Sequence, residues 1–250
     1  FGLAQGSIYA LIALGYTLVY GILLMINFAH GEVFMAGAYI GFFAISAMQN
    51  TGLLESQPLL ALLLTMLTGV IASVVVAVLL ERIAYRPLRN APRLVPLITA
   101  IGASIALQQL FLRLFGASTR RYPDVHFYVL PSLFPDQECS VVDNVNVCRG
   151  IDLIGGRYDV NVLGIELRIL PIHFVVFFLA LVFMSLLWFY VQRTKTGKAM
   201  RAVAEDKATA ALMGINVDRV IVTTFVLGAA LAGAGGVLFA LYNQQVSPFI

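Results

Sequence analysis

Six long apolar stretches, parted by short polar breaks and one long mixed segment, set the pattern of the chain. They cover residues 1–25, 33–48, 59–80, 94–115, 172–191 and 220–242. A bilayer core of about 30 Å takes about 20 apolar residues as a helix. The stretch 59–80 is the cleanest, with no charged residue between Pro58 and Glu81. The first fifty residues are too long for one crossing and carry a polar break from Asn27 to Glu32. They predict two helices with a turn or a broken-helix junction between them, on the cytoplasmic side of the bilayer or within it.

Two polar segments stand apart from the spans. In residues 193–219, Met200, Val203, Ala204, Ala208, Ala211, Leu212 and Ile215 recur at three- and four-residue steps. This spacing predicts a short helix with one apolar face. Arg201, Glu205, Asp206 and Thr209 fall on its other side. Thr194 and Thr196 are candidate N-caps, and Gly214 supplies a helix stop. A helix so short is marginal alone in water, and its Ala-rich face suits docking in another protein's groove. An ordinary basic loop is the plainer alternative. In residues 117–170, the alternating runs 158–163 and 165–169 flank Gly164 and predict a small β-hairpin.

Composition sharpens the class. Apolar residues make up 60% and charged residues 12% of the chain, against roughly 45–50% and 25% in soluble domains, so the chain is an all-α polytopic membrane protein. The first apolar run lacks a basic leader and a small-residue cleavage site, so it reads as a retained span. Both ends read as cut from a longer chain. Charge gives the orientation. Arg82, Arg86, Arg89 and Arg93, with Arg193, Lys195, Lys198, Arg201, Lys207 and Arg219, account for ten of the sixteen basic residues. Both groups border apolar spans, which places them in the cytoplasm. They lack interleaved aromatics, which speaks against nucleic acid. The 117–170 segment, with a net charge of −2, then lies outside. It holds Cys139 and Cys148, a pair that reads as a disulfide in an oxidising compartment, with two free thiols as the alternative.

Candidate chemistry is sparse. Asn27, His30 and Glu32 sit in the polar break, and polar groups in a span face a partner, a cavity or the bundle interior. They fit either a hydrogen-bonded knot closing a helix–turn–helix or, with Phe28 and Gly31, a lining or hinge of a translocation path. Two ligands without HExxH spacing do not make a metal site. Gly37 and Gly41 form a GxxxG pair for close helix packing. Gly228, Gly233 and Gly236 mark either a second such face or a helix interrupted beside a pathway. The chain carries no Walker A run, catalytic triad or dinucleotide fingerprint, so neither an enzyme nor a bound cofactor is expected.

Two runs carry a resemblance. Residues 201–216, RAVAEDKATAALMGIN, hold Glu205, Ala208, Gly214 and Ile215 as in the EAA-type loop of ABC importer permeases. Residues 15–39, GYTLVYGILLMINFAHGEVFMAGAY, hold the run from Asn27 through Phe28, His30 and Gly31 to Glu32. Together they resemble the LivH-type permease subunits of branched-chain amino-acid ABC transporters, in the same order and over nearly all the chain outside 117–170. The resemblance implies a type II ABC importer-like helix bundle, with 1–250 a single permease domain and further spans in the full chain. It implies uptake of leucine, isoleucine and valine across the bacterial inner membrane from a periplasmic binding protein. It also implies two ATPase subunits that use ATP and Mg, and a second related permease, all in contact with membrane lipid. The 193–219 loop, with Gly197, Arg201, Glu205, Ala208, Gly214 and Ile215, would then be the ATPase-coupling element. A urea or short-amide permease of the same family, or a secondary transporter or channel, are the rival readings.

Overall fold

The computed structural model describes residues 2–88, 91–92, 94–123, 128–129, 140–142, 145–147, 151–152, 158–162 and 165–248. Cys139, Cys148, Arg89, Arg93 and Gly164 lie outside the described residues. In hydrocarbon, a backbone must satisfy its own N–H and C=O groups, and the apolar stretches accordingly fold as helices. In chain order these are α1 (Gly2–Leu23), α2 (His30–Asn50), the single turn α3 (Leu53–Ser56), α4 (Pro58–Leu80), α5 (Leu94–Phe115), α6 (Ile172–Arg193), α7 (Lys195–Glu205), α8 (Lys207–Leu212) and α9 (Val217–Asn243). Six of them are long and apolar enough to cross a membrane.

Two boundaries differ from the pattern. Helix α2 begins at His30, inside the predicted polar break. Helix α4 runs on past Leu80 as a wide π turn, Glu81–Tyr85, and a tight 3-10 turn, Arg86–Leu88. No glycine or proline stops it before Pro87, so Arg82 and Arg86 sit on helical backbone rather than in a loop.

Helix α9 is the hub. It packs against α4, α2, α1 and, less extensively, α6. Within its most apolar window 72% of residues are buried inside the chain, against 17% for α5 and 11% for α6, whose faces are open. Between apolar helices in lipid no hydrophobic drive operates, so contact rests on close packing of small residues. A Cβ on Gly37 of α2 would lie 2.7 Å from the Gly233 Cα and 2.7 Å from the Ser73 Oγ. One on Gly41 would strike the Tyr122 hydroxyl and Val237, one on Gly228 would lie 3.0 Å from the Gly15 carbonyl, and one on Gly236 would overlap the Phe34 carbonyl. Helix α9 is unbroken through all these glycines, so they serve close approach rather than an interruption. Across the same seam, the Ser73 hydroxyl of α4 donates to the Val33 carbonyl of α2 at 2.8 Å.

Among the described residues, eight short strands lie outside the helices. Strand β1 (Arg120–Arg121) pairs antiparallel with β8 (Gln245–Val246), clasping the C-terminal end of α5 to that of α9. The Tyr122 N–H donates to the Gln244 carbonyl at 3.0 Å, and its buried hydroxyl donates to the Ala38 carbonyl of α2 at 2.9 Å. Within the long segment, β2 (Tyr128–Val129) pairs with β5 (Ile151–Asp152), and β3 (Ser140–Val142) with β4 (Val145–Val147). Strands β6 (Tyr158–Val162) and β7 (Ile165–Ile169) form the predicted hairpin, with Tyr158 opposite Ile169.

Candidate functional site

The polar break is re-entrant. Helix α1 ends at Leu23, and Leu24 takes φ +57°, its N–H bonded to the Tyr20 carbonyl at 2.8 Å. The chain then turns back into the bundle. The His30 ring packs against Gly15 of α1, which itself closely approaches Gly228 of α9, and edge-on to Tyr16 at 5.9 Å between centroids. Gly15 is eight residues before the end of α1, which at 1.5 Å per residue puts the first turn of α2 about 12 Å inside that end. The helix therefore starts well short of the end of α1, inside the bundle.

The break residues divide by environment. Asn27 and His30 are buried. The Asn27 Oδ1 accepts from the Ala29 N–H at 3.1 Å and from the Tyr85 hydroxyl at 2.7 Å. The Asn27 carbonyl accepts from the His30 N–H at 3.2 Å. Tyr85, brought round by the π turn after α4, stacks on Phe225 of α9 at 5.6 Å. These contacts form a knot that ties the connection between α1 and α2 to the π turn after α4 and, through the stacked ring, to α9. Glu32, in the first turn of α2 where a carboxylate suits the helix dipole, accepts from the Ser104 hydroxyl of α5 at 3.1 Å. Phe28 and Gly31 are exposed. Gly31 lies at the inner end of a groove of about 470 Å³ between α1, α2 and α9, walled by Tyr9, Ile12, Phe34 and Phe239. The groove reaches Thr119, Asn243 and Gln245 at its opposite rim. The sequence pointed to the break. Its partner Tyr85 and the groove wall come from other segments, and nothing in their spacing marks them.

The 193–219 segment is two helices rather than one. Thr194 caps α7, its Oγ1 accepting from the Gly197 N–H at 3.0 Å. A Cβ on Gly197 would overlap the Val191 carbonyl, so glycine lets α7 fold tightly back on α6. Helix α7 buries Met200 and Val203, which cluster with Ile22, Ala210 and Val220. The chain breaks at Asp206, whose Oδ1 accepts from the N–H groups of Ala208 at 2.8 Å and Thr209 at 3.2 Å, and whose Oδ2 accepts from the Thr209 hydroxyl at 2.5 Å. These bonds hold the Asp206 carboxyl below the ordinary carboxylate range. They compete with helix continuation, which is why Asp at this point starts a new helix.

The predicted continuous apolar face is therefore corrected. Met200 and Val203 point into the bundle, while Ala208, Ala211 and Leu212 on α8 are exposed and Ile215 is half-buried. Arg201 also does not meet Glu205; its Nη1 donates to the Gln192 Oε1 at 2.8 Å. Glu205 is exposed at the end of α7. Gly214 takes φ +82° and closes α8, where a side chain would be strained.

A family model described as the permease component of branched-chain amino acid transport systems matches residues 1–250. The high-affinity branched-chain amino acid transport system permease protein LivH of Salmonella typhimurium is 39% identical over 253 residues, covering 100% of this chain and 71% of its own. LivH of Escherichia coli K12 gives the same figures. BraD of Pseudomonas aeruginosa, a permease protein of the same kind of system, is 39% identical over 254 residues, covering 100% of this chain and 72% of its own. No solved structure matches significantly. A multi-pass bundle around a re-entrant break, matched from end to end by these permeases, belongs to the branched-chain amino acid transport permease family.

Proposed function

We propose that the chain is the membrane-spanning subunit of an ATP-driven importer that moves leucine, isoleucine and valine inward across the bacterial inner membrane. Two ATPase subunits supply ATP hydrolysis with Mg, a binding protein delivers the amino acid from outside, and a second related permease completes the pathway. The observation that carries the coupling role is α8. Leu212 is 88% exposed, the most exposed large apolar side chain among the described residues, and Met213 beside it is 79% exposed. On a two-turn helix held by the Asp206 cap, these side chains are presented for insertion into a groove of the ATPase. Met213 suits such a site because its side chain adapts to irregular surfaces. Gly197, Arg201, Glu205, Ala208, Gly214 and Ile215 shape or flank this element.

The groove above Gly31 is this subunit's share of the path. Its wall is apolar and its rim is amide- and hydroxyl-lined, which suits an amino acid with an aliphatic side chain. Asn27 and His30 act as the hinge that holds the start of α2, while Phe28, Gly31 and Glu32 border the passage.

The test is reconstitution. Proteoliposomes with the ATPases, the second permease and the binding protein should accumulate leucine only with ATP. Leu212→Asp should release the ATPases and abolish uptake. Uptake that persists without the ATPases would leave a secondary transporter or channel as the reading.

A further inference from the structure

The Lys207 ammonium at the start of α8 donates to the Leu23 backbone carbonyl at 3.1 Å, across 184 residues of sequence. That carbonyl belongs to the last residue of α1, where helix carbonyls lack intrahelical partners and the dipole favours a cation. Immediately beyond it, Leu24 in the left-handed region turns the chain into the re-entrant segment. Three residues later Asn27 is tied to Tyr85, and its carbonyl receives the first N–H of α2. Lys207, residues 23–26 and Tyr85 line one cavity of about 640 Å³ at this end of the bundle.

Helix α8 therefore reaches α1 by two routes. Through Ala210 it joins the apolar cluster that holds Ile22, on the side of α1, with Met200 and Val203 of α7. Lys207, through a charged hydrogen bond, grips the backbone at the point where α1 turns toward α2. We propose that Lys207 is a positioning residue that passes displacement of α8 to the re-entrant segment, and so to the start of α2. The inference rests on reading α8 as the ATPase-docking helix.

Two substitutions and a control test it in the reconstituted complex. Lys207→Met keeps the stem and removes the donor; Lys207→Arg keeps a charged donor. Lys207→Met should retain bound ATPases and near-wild-type hydrolysis, while leucine moved per ATP falls about tenfold, the scale of one charge-assisted hydrogen bond. Lys207→Arg should recover most of that ratio. An unchanged ratio in Lys207→Met, or an equal loss in Lys207→Arg, overturns the proposal. Leu212→Asp separates the two readings. If it leaves the ATPases bound, the docking assignment of α8 fails and the proposal falls with it. If it releases them while Lys207→Met stays fully coupled, only the Lys207 assignment fails.

Discussion

Single glycines in this bundle carry opposite burdens, and the difference is visible in what a methyl group would meet. On Gly236 it would overlap the Phe34 carbonyl, and backbone cannot move aside as a side-chain end can. Gly236→Ala should therefore cost about 1–3 kcal/mol through overpacking, read as a lower midpoint of thermal aggregation in detergent. On Gly31 it would meet nothing within 4 Å. Gly31→Ala should leave that midpoint unchanged, while Gly31→Leu should slow leucine uptake by filling the inner end of the groove; wild-type uptake in Gly31→Leu would remove Gly31 from the path. Asn27 sits between these cases. Removing the hydroxyl in Tyr85→Phe leaves Asn27 its bond to the Ala29 N–H, so the loss should be about 1 kcal/mol. Asn27→Leu should cost more, because it leaves the Tyr85 hydroxyl buried without its acceptor, an orphaning worth about 1–3 kcal/mol. Equal midpoints for the two variants would contradict the knot.

At the level of elements, the behaviour of α8 turns on its Asp206 cap. The folded carboxyl is held below its ordinary range by the Thr209 hydroxyl and two backbone N–H groups. A depressed carboxylate stabilises wherever the unfolded group is ionised, and that stability is lost only as pH falls through the folded pKa. Capping should thus be constant across neutral pH, and ATPase association measured by pull-down should not change with it. Asp206→Asn keeps an acceptor and should bind ATPases nearly as wild type; Asp206→Ala should weaken binding. A neutral-range pH dependence of association that vanishes in Asp206→Asn would show that the cap titrates where it is predicted to stay ionised. The six spans, the hairpin at β6 and β7 and the Thr194 and Gly214 boundaries were legible in the chain, because length, alternation and cap residues act locally. The break at Asp206 was missed although the sign was present: an Asp ahead of Ala and Thr competes with the helix it interrupts. The continuation of α4 to Leu88, and Tyr85 with it, was hidden because charge after an apolar run looks like a loop when only polarity is read. The re-entrant depth of α2 could not be read locally at all. It depends on Gly15, which comes from the helix before it, makes room for the His30 ring and packs closely on Gly228 of α9.

The whole molecule is a bundle with one hub and two open flanks. Helix α9 meets α1, α2 and α4 through small residues, whereas α5 and α6 bury little of themselves. In α6, Phe178, Val182, Leu186, Trp188 and Phe189 are exposed, which in a membrane means contact with lipid or with another subunit. We propose the orientation from charge: the basic residues after α4 and around α7 and α8 on the cytoplasmic side. The geometry imposes a matching constraint. The β1–β8 clasp joins the far ends of α5 and α9, opposite the end where the Arg86 and Asp218 side chains approach to 3.9 Å. That exposed pair adds little stability, but it marks the inner end of α4 and α9 as one surface. Labelling with a membrane-impermeant thiol reagent checks the arrangement. The sequence has two cysteines, Cys139 and Cys148, so replacing both with serine gives a silent background. Thr119→Cys, beside the clasp, should react in intact right-side-out vesicles. Lys198→Cys, exposed on α7, should react only after the vesicles are opened or inverted. The outer groove makes a further demand: leucine-loaded binding protein should protect Thr119→Cys and leave Lys198→Cys unaffected, because only the first lies on the groove rim. Reaction of Lys198→Cys from outside would invert the bundle and place the proposed ATPase helix on the wrong side of the membrane.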